Sequence, residues 1–110
     1  MEDEIKNWKL KLRYGKLKTR FRHYIVLADG VVGQLVDGFE CRSGRAWMSM
    51  KTWATDVDES KDMIQVIGNN IGFSVDGQIQ VYDTPPEEPP PPEDIPHGYD
   101  IRFYPYDENA

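Results

Sequence analysis

The sequence predicts an α+β protein: a mainly antiparallel sheet of five to seven strands with one helix packed on one face. Three observations carry that expectation. Several short runs alternate apolar and polar residues with period two, as half-buried strands do. Asp-Gly pairs separate some of these runs and act as turn signals. A single stretch, about residues 57 to 70, instead carries Met63, Ile64 and Ile67 at helical spacing, a stripe that runs on to Ile71.

Taken in order, Trp8 to Tyr14 alternates rings or leucines with cations and reads as a strand with Trp8, Leu10, Leu12 and Tyr14 inward. The parity flips at Gly15, which suggests a bulge or turn, and the run continues through Leu17, Thr19 and Phe21 into His23–Leu27. Asp29-Gly30 and Asp37-Gly38 read as hairpin turns. Phe39 to Arg45 is a short strand or loop, and Ala46–Ala54, rich in Trp and Met, is a buried strand.

Thr55 or Asp56 caps the helix, with Asp58 and Glu59 complementing its positive end. Gly68 to Gly72 supplies the stop. The stripe on this helix should meet Trp47 or Trp53, Phe73 and Ile79. Phe73 to Tyr82 reads as a hairpin with Gly77 in the left-handed region of a three-residue loop. Residues 84–97 hold seven of the eight prolines and four acids, so they form an acidic surface arm. Tyr99–Phe103 is a last strand at an edge, ended by Pro105.

With 110 residues the chain fits one domain, 1–110, large enough to bury a core unaided. One cysteine, Cys41, allows neither an internal disulfide nor a cysteine-based zinc site. The acidic start and the lack of a long apolar run predict a cytoplasmic protein without membrane contact.

Charge is segregated within a net −6. Residues 5–23 carry eight bases and no acid, whereas residues 52–110 carry thirteen acids and two bases. Lys9, Lys11, Arg13, Lys16, Lys18, Arg20 and Arg22 are therefore a candidate interaction face. The aromatics interleaved with them could stack on nucleic-acid bases. Alternation instead assigns rings and cations to opposite faces, and the net negative charge also disfavours nucleic acid.

Chemistry-bearing patterns are sparse. Asp56 to Asp62 superficially resembles a calcium loop, but Lys61 and Ile67 stand where an EF-hand needs Gly and Glu. Nothing around Cys41 marks it as a nucleophile. His23 and His97 are the only histidines and could border a pocket between helix and sheet. No nucleotide-loop, hydrolase-elbow or zinc-protease motif occurs, and no cofactor is expected.

The segments Ile67-Gly68, Ile71-Gly72-Phe73, Val81 to Pro85 and Gly98 to Phe103 resemble small bacterial proteins with no activity attached to them. The resemblance covers about half of the chain. It implies a bacterial single-domain protein and carries no site residues. The resulting expectation is a non-enzymatic module that binds another protein, of an immunity, inhibitor or adaptor kind. The alternatives are a nucleic-acid-associated module using residues 6–22 and a small-ligand-binding domain.

Overall fold

Period-two alternation in the middle of the chain builds a sheet, described by a computed structural model that covers residues 8–14 and 19–106. The elements are α1 (Trp8–Arg13), β1 (Arg22–Val32), β2 (Gly44–Ala54), α2 (Val57–Ile71), β3 (Phe73–Asp83) and β4 (His97–Pro105). The four strands form one antiparallel sheet in the order β3-β1-β2-β4. The α+β class holds, with four strands and two helices among the described residues where five to seven strands and one helix were expected.

One face of the sheet is the core. Tyr24, Val26, Ala28 and Val32 of β1 lie opposite Thr52, Met50, Met48 and Gly44 of β2, and α2 covers them with Ile64 and Ile71. Met63, Ile67, Phe73 and Ile79 join the same cluster, as the helix stripe predicts. A second, smaller cluster of Phe21, Trp53 and Tyr99 sits elsewhere, so Trp53 does not meet α2.

The ends of α2 follow its sequence. Asp56 accepts a hydrogen bond from the Glu59 backbone N–H at 2.8 Å, and the Glu59 carboxylate accepts from Thr55 N at 2.8 Å. Gly72 closes the helix at φ 107°, a conformation that disfavours any side chain. The carboxylates that suggested a metal loop are thus partly used as caps. Asp56→Ala should cost about 1 kcal/mol of stability, measurable as a lower urea midpoint with an unchanged slope.

Four local expectations are corrected. Trp8–Arg13 is a helix, because Lys, Leu and Arg are good helix formers, and the run does not join either outer strand of the sheet, β3 or β4. Its alternating apolar residues therefore do not share an inward face: Leu12 packs on the second cluster, while Leu10 and Tyr14 are exposed. The parity flip at Gly15 falls outside the described residues. Asp29-Gly30 lies inside β1, which turns only beyond Gly33, at Asp37-Gly38, where Gly38 has φ 98°. Phe73–Asp83 is one strand, not a hairpin: between Val75 and Ile79 it bulges opposite Asp29, which keeps both apolar residues on the core face. Gly77 is accordingly not left-handed.

Candidate functional site

Because side chains alternate along a strand, the residues between the core positions point to the opposite face of the sheet. That face receives Ile25, Leu27, Asp29 and Val31 from β1 and Arg45, Trp47, Ser49, Lys51 and Trp53 from β2. Gln80 and Tyr82 come from β3, and Arg102 and Tyr104 from β4. Among the described residues, no helix of the length of α2 covers it. Tyr82, Tyr104 and Tyr106 are 51%, 49% and 40% exposed, a large share for rings.

Two depressions lie side by side on this open face. An apolar one of about 390 Å³ is walled by Leu27, Trp47, Gln80 and Tyr104. A polar one of about 300 Å³ is lined by Ile25, Ser49, Lys51, Glu87, Asp100, Arg102 and Tyr104, so Tyr104 stands between them.

The strands place three cations here, and each is paired within the chain. Arg45 bonds Asp76 at 2.8 Å and Asp29 at 3.2 Å. Lys51 lies 2.7 Å from Asp100 and 2.8 Å from Glu87, and Arg102 Nε donates to Asp100 at 3.0 Å. Hydrogen bonds from Lys51 and then Arg102 hold the Asp100 carboxyl below its usual range. The same contacts, Asp100 before Glu87, push the Lys51 ammonium up. Two carboxylates thus hold Lys51 in its charged form. Asp100 itself adopts φ 53°, unusual for a side-chain-bearing residue, at the irregularity in the β2–β4 pairing.

The two outer strands resist strand addition. β3 carries its bulge at 75–79, and β4 has a register shift around Asp100 and ends in Pro105. Both devices interrupt the regular ladder that an incoming strand would extend.

At the other end of the open face, the proline arm is tied down. His23 is 7% exposed, and its Nδ1 lies 3.1 Å from Thr84 O. Nδ1 is also 3.1 Å from Thr84 Oγ1. The Tyr99 oxygen already accepts the backbone N–H groups of Glu87 at 3.1 Å and Glu88 at 3.3 Å, so its hydroxyl donates to Nε2 at 2.6 Å and the imidazole proton sits on Nδ1. Trp53 Nε1 donates to Glu88 O at 3.1 Å. Burial, opposed by the Thr84 hydrogen bond, pushes the His23 imidazole below its ordinary value, and burial pushes the Tyr99 phenol up.

This joint makes stability depend on pH. In the unfolded chain His23 titrates near its ordinary value of about 6.5, whereas in the folded chain it resists protonation. Its contribution is fully present above that pH and is lost as pH falls towards the lowered folded value. Urea midpoints measured from about pH 7.5 to 5 should fall on the acid side. The fall should be shallower in His23→Gln.

The residues singled out in the sequence are dispersed. His23 and His97 do come to the same end of the sheet, on either side of Tyr99: His97 stacks on that ring at 5.8 Å, and His23 lies at 5.6 Å. They do not border the same depression, since His23 is buried and His97 edges one made by Pro91, Pro92, Glu93, Ile95 and Pro96. Lys9, Lys11 and Arg13 lie on α1, while Lys16 and Lys18 lie outside the described residues. Arg20 bonds Asp94 of the arm. Arg22 stands beside Tyr24 and the acidic start of α2. Cys41 is half-buried against the core cluster.

Sequence reading missed Leu27, Trp47, Lys51 and Tyr104. The available signal was the alternation in Arg45–Trp53, where every second residue is Arg, Trp, Ser, Lys or Trp and the others are small or apolar. Such a run has one core face and one mixed face, and does not describe a strand buried on both sides.

Comparison of the chain with protein-family models, curated proteins and solved structures finds no match to any of them. No helix among the described residues is long and apolar enough to cross a membrane.

Proposed function

We propose that this chain is a non-enzymatic interaction module, inhibitor-like or adaptor-like, that docks a partner protein on the open face of its sheet. The observation that carries the reading is the composition of that face: exposed tyrosines around the Leu27–Trp47–Tyr104 depression, with the cations on it, Arg45, Lys51 and Arg102, each paired to an acid of the same chain. Aromatic and apolar surface with paired charges suits protein contact. Nucleic-acid binding instead depends on cations that neutralise phosphates. Of the candidate basic face, the described residues Lys9, Lys11 and Arg13 lie on α1 and Arg22 at the start of β1, none of them lining the aromatic depression.

The test is capture from the native cell with the full chain as bait. Wild type should retain one protein in both low and moderate salt, and Tyr104→Ala should lose it while keeping the same circular dichroism. Equal capture by Tyr104→Ala, or a bound species that nuclease removes, would overturn the proposal.

A further inference from the structure

We infer that the partner segment presents a carboxylate beside a large apolar side chain, the carboxylate on Arg102 and Lys51 and the apolar group in the Leu27–Trp47–Tyr104 depression. This inference rests on the reading of the open face as the docking surface.

The polar depression is already a carboxylate site by construction. Lys51, only 16% exposed at its side chain, holds two carboxylates, from Asp100 and Glu87. They differ in kind. Asp100 comes from β4 itself, is 26% exposed at its side chain, and also bonds Arg102. Glu87 comes from the arm and is 66% exposed. An exposed carboxylate on a flexible side chain contributes little net stability to such a pair, so Glu87 is an exchangeable occupant of a position that an incoming carboxylate can take. Its backbone need not move, because the hydrogen bond to Tyr99 uses its N–H and not its side chain.

Arg102 adds the outer half of the site. Asp100 engages its Nε, and the side chain is 63% exposed, which leaves the terminal guanidinium edge facing outward. A planar guanidinium matches a carboxylate with two parallel hydrogen bonds. With Glu87 displaced, Lys51 and Arg102 face one acid, Asp100, so the local charge favours an anion.

The neighbouring depression sets the second requirement. Its walls are Leu27, Trp47, Tyr104 and the stem of Gln80, which recognise shape and apolar area rather than charge. Ile25 floors one depression and Leu27 walls the other, and they are two positions apart on β1. These two lining residues are therefore about 7 Å apart along β1, the two-residue repeat of an extended chain. A carboxylate and an apolar side chain separated by one residue in an extended segment span that distance.

The probe is acetyl-glutamyl-alanyl-leucine amide, titrated into the ¹⁵N-labelled full chain and followed by amide and indole shifts, against its glutamine analogue. The expected result is a saturable shift at Ser49, Lys51, Arg102, Tyr104 and the Trp47 indole, with the glutamine analogue weaker by about fivefold. Arg102→Gln, with an otherwise unchanged spectrum, should erase the difference between the two peptides. Glu87→Gln should tighten the acidic peptide by about threefold, because the internal competitor is gone. Equal shifts from both peptides would overturn the carboxylate inference and leave the docking face standing. Shifts from neither, or shifts confined to residues off the open face, would also overturn it. The docking face would then stand or fall on the Tyr104→Ala capture alone.

Discussion

Gly30→Val should yield little folded protein. A Cβ at Gly30 would sit 2.2 Å from the carbonyl oxygen of Ser74, 2.9 Å from its carbon and 2.8 Å from the tip of the Phe73 ring. None of these can step aside at low cost. Ser74 is backbone in the β1–β3 ladder, and Phe73 is fully buried against Phe103 at 5.8 Å. The φ of Gly30 is not positive, so the penalty is steric and not torsional. Inserting a methyl into a packed core costs about 1–3 kcal/mol when side chains can adjust. Here backbone must move and a central strand pairing is lost, so about 4 kcal/mol is expected for Val. That is a large fraction of the roughly 5–15 kcal/mol available to a domain of this length. Gly30→Ala already brings the clashing atom and should be destabilised in the same direction by a smaller amount. A Gly30→Ala protein with the wild-type urea midpoint would refute the packing described here.

The same glycine shows why part of the fold was illegible in the sequence. Asp-Gly between β-prone runs is a strong turn signal, and at Asp37-Gly38 it works. At Asp29-Gly30 the glycine serves a different need, the close approach of β3, which no local pattern announces. Asp76-Gly77 is the corresponding site on the partner strand, where a Cβ would meet the Asp29 carboxylate at 2.5 Å. Both Asp-Gly pairs thus belong to one bulge that crosses two strands. Their meaning depends on a pairing between residues about fifty apart in the chain. The helix at 57–71 was legible because its cap, stripe and stop are all local. Residues 8–13 were not, since a run of Leu, Lys and Arg suits either state and the deciding fact is where the sheet ends.

The site divides along the same line. That the chain lacks a local catalytic motif could be read from its residues, and so could the acidic arm. The open face could not, because exposure on one side of a sheet depends on how many layers the chain can build, and a single α2 covers one side only. The charge split looked like a binding signal while Arg20 was counted as free. Folding sets Arg20 against Asp94 of the arm, and Lys51 of β2 takes a second arm acid, Glu87, so part of the arm's charge serves to fasten it to the rest of the chain.

Tyr99→Phe should release that arm. The substitution deletes one oxygen and changes ring volume little, yet three groups depend on that atom: His23 Nε2 and the N–H groups of Glu87 and Glu88. Each sits in a buried or part-buried joint, where an unpaired polar group costs about 1–3 kcal/mol. The arm can relieve part of this by moving into water, so a net loss of about 2 kcal/mol is expected. The loss should be local first. Amide exchange at Glu88 and at the Trp53 indole, which donates to Glu88 O, should accelerate by roughly thirtyfold, while α2 and the centre of β1 keep their protection relative to global stability. The arm should also become the preferred site of proteolysis. Because Glu87 travels with it, Lys51 loses one of its two carboxylates, and the acidic peptide should bind Tyr99→Phe more tightly than wild type. Unchanged exchange at Glu88 would mean that the prolines and Trp53 hold the arm without the hydroxyl. Coupling between arm and face would then rest on the Lys51–Glu87 contact alone.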